Sequence, residues 1–267
     1  MIAKALADST PKPGFDVTED AFLEGAVSAF QPRQGYRAGI DAVFLAASIP
    51  AVPGQKILEL GLGSGIAALC LIARVPGVTV TGLELQADLC ELARTNAQHN
   101  KCSAALDVIE VDIKSGAHAL EIMGLQQASF DHVYANPPFY DEACVRRSPD
   151  QSKAQAHSFA QGDLETWVKL MVGMAAPKAT VTLVHRADKL DEILNLYNRR
   201  LGGVIVTPLH SEADQPATRV IVQGIKGSRA PLILNRGFVL HKQGGDFRDQ
   251  AKAILRKGAA FAMQQAD

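Results

Sequence analysis

The sequence predicts an α/β fold: a mostly parallel sheet of seven strands, helices on both faces and an antiparallel last strand. Three observations carry that prediction. Short β-rich runs alternate with longer helical runs through the middle of the chain. Strands separated by helices imply right-handed crossovers and a parallel sheet covered on both sides. The last two strand candidates have no helix between them, so residues 210–218 join them as an antiparallel pair. Finally, 267 residues with 47% apolar and 21% charged side chains suffice for a buried core and exclude global disorder.

The elements follow in order. Lys56–Gly61 (KILELG) reads as the first strand and Gly65–Arg74 (GIAALCLIAR) as an Ala- and Leu-rich helix. Val78–Glu84 is a second strand, rich in β-branched residues. Ala87–Asn100 is helical, with Leu89, Leu92, Ala93 and Ala97 on one face. Leu106–Val111 and Asp131–Ala135 are the third and fourth strands. Asp163–Ala175 is a helix that Asp163 can cap. Ala179–His185 is the fifth strand, Ala187–Arg200 a helix, and Val204–Leu209 and Arg219–Ile225 the sixth and seventh strands. Ahead of this alternation, residues 1–50 read as an extension with a hairpin in Phe15–Phe30 and a short helix, Asp41–Ile49, ended by Pro50. Residues 51–226 form the core domain. Residues 227–267 form a second extension, with a strand at Gly237–Lys242 and a helix at Phe247–Arg256. The polar stretch Asp141–Gly162 has weak periodicity and reads as a long loop, a class that includes lids and binding loops.

Several function classes are set aside at once. No apolar run reaches the roughly 18 residues of a membrane span. Met1–Gly14 has no apolar segment of signal-peptide length, so a cytoplasmic location is expected. Cys70, Cys90, Cys102 and Cys144 contain no Cys-x-x-Cys pair, and the seven histidines no His-x-x-x-His pair, so no metal is assigned. Cys70 lies in an apolar helix and reads as a small core residue. The formal net charge of −1 hides an asymmetry: residues 1–140 carry a net −6 and residues 141–267 a net +5. Most of the excess is in residues 219–257, with nine Lys and Arg against Asp246 and Asp249. Such a segment suits contact with phosphates.

The residues that carry chemistry stand at strand ends. The first strand runs into Glu59-Leu60-Gly61-Leu62-Gly63-Ser64-Gly65 and then a helix. A glycine turn there lets a ligand approach the backbone at the positive end of the helix. The third glycine comes one place earlier than in the dinucleotide fingerprint, which disfavours a pyrophosphate. Glu84, followed by Leu85, ends the second strand, 19 residues past Gly65, where a carboxylate can accept from both ribose hydroxyls of a nucleoside. Asp112 ends the third strand, where it can accept from an adenine amino group. Glu59, two residues before the first glycine, can face a ligand cation. The fourth strand ends in Asn136-Pro137-Pro138-Phe139-Tyr140. Two prolines stiffen that segment and hold Asn136 extended. An amide oxygen, free carbonyls and an aromatic face then suit a planar substrate bearing an –NH2 group.

Together these residues resemble the class I S-adenosylmethionine-dependent methyltransferases that modify amino groups, which implies a Rossmann-like sheet. The E-L-G-x-G-x-G loop, Glu84, Asp112 and N-P-P-F match that family's motifs in order over roughly residues 55–225. The upstream run Gln31–Ala47 (QPRQGYRAGIDAVFLAA) resembles the motif preceding the core in the bacterial tRNA (valine) adenine-N6 methyltransferase family. The resemblance implies S-adenosyl-L-methionine as cofactor, with Gly61, Gly63 and Gly65 under its methionyl part. It implies Glu84 and Leu85 at the ribose, Asp112 and Ile113 at the adenine, and Arg37 and Asp41 closing the site. Asn136, Pro137, Pro138 and Phe139 would position the target amine; the family often has Tyr where this chain has Phe139. The implied substrate is N6 of an adenine in tRNA, reached through the basic C-terminal segment. A guanine amino group of ribosomal RNA, a protein glutamine, a DNA adenine, and a cofactor- and RNA-binding factor without catalysis remain alternatives. Oligomeric state is not legible.

Overall fold

The computed structural model describes residues 16–35, 37–138 and 163–263. The hairpin is present as β1 (Val17–Phe22) and β2 (Val27–Pro32), in register from Val17 opposite Pro32 to Phe22 opposite Val27. Its turn is unusual: Leu23, Glu24 and Gly25 all have positive φ, at 51°, 55° and 89°. A non-glycine residue in that region costs about 1–2 kcal/mol. Burial of Leu23 beside the C-terminal Gly258 offsets it. Helix α1 (Ile40–Ser48) follows and stops before Pro50, as the proline requires.

The central elements are β3 (Lys56–Leu60), α2 (Ile66–Arg74), β4 (Thr79–Glu84), α3 (Ala87–His99), β5 (Leu106–Glu110), α4 (Gly116–Ile122) and β6 (Phe130–Ala135). After residues 139–162 come α5 (Asp163–Met174), β7 (Ala175–Arg186), α6 (Leu190–Tyr197), β8 (Leu201–His210) and β9 (Arg219–Lys226). The chain then adds β10 (Ile233–Leu234), β11 (Phe238–Val239) and α7 (Asp249–Lys257). The sheet order is β10-β8-β9-β7-β6-β3-β4-β5, with β11 also on β8. Every pairing in it is parallel except those of β9, which is antiparallel to both β7 and β8. To the seven expected core strands the structure adds β10, of two residues, on the β8 edge; the strand expected at Gly237–Lys242 is β11, also of two residues and on the same edge.

Alternating residues of the strands feed two cores. On one face Ile57 packs with α1, α2, the hairpin residues Val27 and Ala29, and Ile254 of α7. On the other, Leu58 and Leu60 pack with Leu120 of α4, Trp167 of α5 and Ile193 of α6. Cys70 lies in the first core, where burial pushes its thiol up to about 12. Several elements differ from their expected bounds, among them β8, which begins at Leu201 rather than Val204. Strand β7 begins at Ala175 rather than Ala179, because Ala175 pairs with Phe130 ahead of a bulge in which Lys178 has φ 67°. The helix expected over 187–200 is a 3-10 turn (Ala187–Lys189) followed by α6, and Arg199, at φ 63°, turns the chain into β8. Helix α7 starts at Asp249, with Phe247 and Arg248 ahead of it. The stretch Asp141–Gly162, Phe139, Tyr140, Cys144 and the side chain of Asp163 lie outside the described residues. No helix of the described residues is long and apolar enough to cross a membrane.

Candidate active site

Sheet register assembles the site. Leu60, the last residue of β3, pairs with Ala135 on one side and Leu83 on the other. Gly61 and Asn136 therefore leave neighbouring strands side by side, at the roughly 5 Å spacing of adjacent strands. Glu84 lies on the other flank, opposite Glu110 of β5, two residues short of Asp112. Loop, acids and N-P-P segment thus share one carboxyl edge of the sheet, where open α/β folds bind ligands.

The glycine loop is shaped by close contacts. The Gly61 and Leu62 amides both donate to the Leu83 carbonyl, at 2.8 and 2.9 Å, folding the chain back over β4. Gly61, Gly63 and Gly65 have φ of 70°, 58° and 86°, conformations open to glycine at little cost. A Cβ on Gly61 would stand 2.6 Å from Cη2 of Trp167, so the α5 indole fills that side. A Cβ on Gly63 would meet nothing within 4 Å. Space for a ligand therefore opens at Gly63. Leu62 is pressed over Gly82, where an added Cβ would approach it to 2.6 Å.

Glu84 is 7% exposed, and backbone groups hold its carboxylate. Oε2 accepts from the Gly63 amide at 2.8 Å, and Oε1 from the Leu85 and Gln86 amides at 2.9 and 3.0 Å. A carboxylate has about four acceptor directions; the fourth, on Oε2, remains for a ligand hydroxyl. Leu85 beside it is 60% exposed, an apolar surface at the site's rim. The exposed Asp112 caps the 3-10 turn Ile113–Ser115 by accepting from the Lys114 amide at 2.8 Å, while Ile113 is buried behind it.

Glu59 is turned inward rather than toward the loop's open side. It is 3% exposed and accepts from the Tyr134 hydroxyl at 2.8 Å and from the Ala68 amide in the first turn of α2. Burial raises its carboxyl to about 8, so the acid is mostly neutral at pH 7. Arg37 and Asp41 are not brought to each other. Arg37 bonds Asp20, Thr18 and the Pro32 carbonyl, tying the end of the hairpin. Asp41 pairs with Arg219 at 3.1 Å, beside Arg186 at the carboxyl end of β7. Pro137 is buried, and Asn136 and Pro138 are half-buried. Phe139 lies outside the described residues.

Sequence reasoning missed Asn96. Its carboxamide is fully buried on α3, donating to the Ser64 and Phe30 carbonyls at 2.9 Å each and accepting from the Phe30 amide at 2.7 Å. One turn on, Asn100 does the same for Ser28, accepting from its amide at 3.0 Å and donating to its carbonyl at 2.6 Å. Two amides at i and i+4 thus stand in for a neighbouring strand along β2, and one of them also grips the glycine loop. Only its burial was signalled, by the face it shares with Leu92, Ala93 and Ala97; its partners were not.

Comparison with known proteins narrows what this arrangement is. Residues 38–157 match the family described as the methyltransferase small domain. Over those residues the chain is similar to that family. The chain is also similar to relatives named tRNA1(Val) (adenine(37)-N6)-methyltransferase. The one from Cronobacter sakazakii is 29% identical over 46% of this chain, and the match spans about half (48%) of that relative. The one from Aeromonas hydrophila is 26% identical over 82% of this chain and 88% of the relative. Among solved structures, one described as a predicted O-methyltransferase from Agrobacterium tumefaciens superposes with a TM-score of 0.71 at 27% identity, covering 83% of this chain and 98% of the other. The residues present fit S-adenosylmethionine: a glycine cradle open at Gly63, a carboxylate with an acceptor direction left, and an apolar rim at Leu85. Among the described residues no group of three or more metal-ligating side chains occurs.

Proposed function

We propose that the chain is an S-adenosylmethionine-dependent N-methyltransferase acting on N6 of an adenine in tRNA, in the cytoplasm. The observation that carries this reading is the register that sets Asn136 beside Gly61. An amine-binding segment then stands next to a nucleoside cradle. When bound, S-adenosylmethionine supplies a methyl group already activated on a sulfonium, so no protein nucleophile is needed.

The chain's own residues hold and orient. Gly61, Gly63 and Gly65 cradle the methionyl part, Glu84 and Leu85 take the ribose, and Asp112 with Ile113 takes the adenine. Glu59 acts from beneath, fixing the first turn of α2 under the loop. Arg37 and Asp41 brace the upstream segment at the site's border. Asn136 and the Pro137 carbonyl accept the two amine hydrogens, Pro138 keeps the segment stiff, and Phe139 stacks on the base. An aromatic amine's lone pair is delocalised into its ring. Two accepted hydrogen bonds favour a pyramidal, more basic nitrogen and stabilise its developing positive charge. Holding nitrogen, methyl and sulfur in line supplies the rest. The target base must leave its stack to reach this segment. In this reading residues 51–226 carry cofactor and chemistry, and residues 1–50 and 227–267 serve the RNA.

The test separates binding from turnover. Asn136→Ala is expected to lower methyl transfer at least about a hundredfold, the scale of losing one preorganised transition-state contact. Its cofactor dissociation constant, read by calorimetry, stays within a factor of about two, well under 1 kcal/mol. Undiminished turnover in that variant would overturn the assignment.

A further inference from the structure

The basic segment is less uniform than its composition. Of its nine cations, Lys226 is turned inward onto the Val172 and Ala175 carbonyls, both at 2.7 Å. Arg219 pairs with Asp41, Lys242 with Asp249, and Arg248 donates to the His241 carbonyl. Arg229, Arg236, Arg256 and Lys257 have no carboxylate partner among the described residues, and Lys252 makes no ion-pair contact there, though it lies in the field of Asp249. Two of these five, with Arg248, form a stripe. Arg248, Lys252 and Arg256 are spaced i, i+4, i+8 along α7, whose other face buries Ala251 and Ile254 in the core. Like charges at that spacing repel. The helix dipole favours Arg256 and Lys257 in the last turn but does nothing for the first two positions.

The stripe borders a cavity of about 420 Å³ between the hairpin turn, α1 and α7. Its walls include Phe22, Leu23, Glu24, Val43, Phe247 and Arg256. Phe247 is held rigidly by a bridge to His241 and by stacking on that ring, with centroids 4.6 Å apart and planes at 25°. Leu23 and Glu24, both in the left-handed region, line the same cavity. Strain of that kind is kept where a surface has a use. The cavity abuts the start of α1, whose Asp41 reaches Arg219 at the carboxyl edge that also carries Asn136.

We propose that this cavity receives one unstacked base of the RNA strand, with Arg256 and Lys252 on the flanking phosphates. The proposal rests on the RNA reading above and adds a second base-binding site to it. An aromatic wall takes any base face, because stacking is tolerant of sequence. The cation stripe supplies the complement that a polyanion needs and that the fold itself does not provide.

The test uses the full chain and unfractionated bacterial tRNA, with affinity measured between 50 and 200 mM salt. Phe247→Leu keeps the apolar bulk and the charge but removes the stacking face. It is expected to weaken binding about tenfold with an unchanged salt slope, a pattern that loss of charge contacts would not give. Lys252→Gln with Arg256→Gln is expected to weaken binding at low salt and to lower the log–log slope by about 1.4. Both variants bind S-adenosylmethionine like the parent chain, which shows that they are folded. Wild-type affinity and slope in both variants would overturn the proposal. Loss with the double variant alone would leave RNA on α7 and overturn the base cavity. If the parent chain bound no tRNA, the RNA reading would fall, and this inference with it.

Discussion

Glu59 shows how burial decides a role that residue type leaves open. Two positions before the first glycine, an acid can face a ligand cation; here β3 points it instead at Tyr134 and the start of α2. With its carboxyl raised from 4.5 to about 8, the folded chain stays protonated where the unfolded chain ionises. Its contribution to stability is complete below about pH 4.5 and is lost as pH rises toward 8. Urea unfolding of the parent chain and Glu59→Gln should therefore diverge across that window, the variant lacking this part of the decline; parallel curves would refute the assignment. Gly61 gives a second prediction. Gly61→Ala combines a left-handed alanine, costing about 1–2 kcal/mol, with a contact 2.6 Å from Trp167. A fall in thermal midpoint is expected, and Trp167→Leu in the same chain should recover part of it, since the steric share is relieved while the backbone share is not.

At the scale of elements, the hairpin and the glycine loop are joined through α3. Asn96→Ala would leave the half-buried Phe30 amide and carbonyl and the Ser64 carbonyl, whose bond is buried, without their partner, at about 1–3 kcal/mol for the buried one and less for the other two. Hydrogen exchange at Phe30 should accelerate, and the cofactor dissociation constant should rise. Asn100→Ala should speed exchange at Ser28 and leave cofactor affinity near that of the parent, because Asn100 does not touch the loop. Equal effects of the two on cofactor affinity would remove Asn96 from its loop-holding role. These links also mark the limit of the sequence. The loop, the N-P-P segment and the strand order were legible because glycine, proline and alternating apolar runs act locally. The Asn96 grip joins residues 66 and 32 positions apart, and no local pattern reports such a contact. The helix over 187–200 was overdrawn for a related reason. Its composition suits a helix, but β8 begins at Leu201 and forces the turn at Arg199. The turn of β1–β2 was invisible too, since left-handed Leu23 and Glu24 run against local preference and are held by packing on α7.

Across the whole molecule, the charge asymmetry takes a structural form. The net −6 of residues 1–140 belongs to the half that carries the glycine loop, Glu84 and Asp112. The positive excess of residues 219–257 resolves into structural pairs, one inward lysine and five cations without an ion-pair contact among the described residues. Composition alone counted all nine as equivalent. The N-terminal hairpin stands between the two, packed on α3 on one side and on α7 through Leu23 on the other. The central claim is that this architecture transfers a methyl group to an adenine amine of tRNA. It is tested most directly by incubating the chain with methyl-tritiated S-adenosylmethionine and total tRNA from a strain lacking the enzyme, digesting the RNA and separating the nucleosides. The account predicts label in N6-methyladenosine, lost with Asn136→Ala; label in a guanosine, in protein, or in no acceptor at all would contradict it.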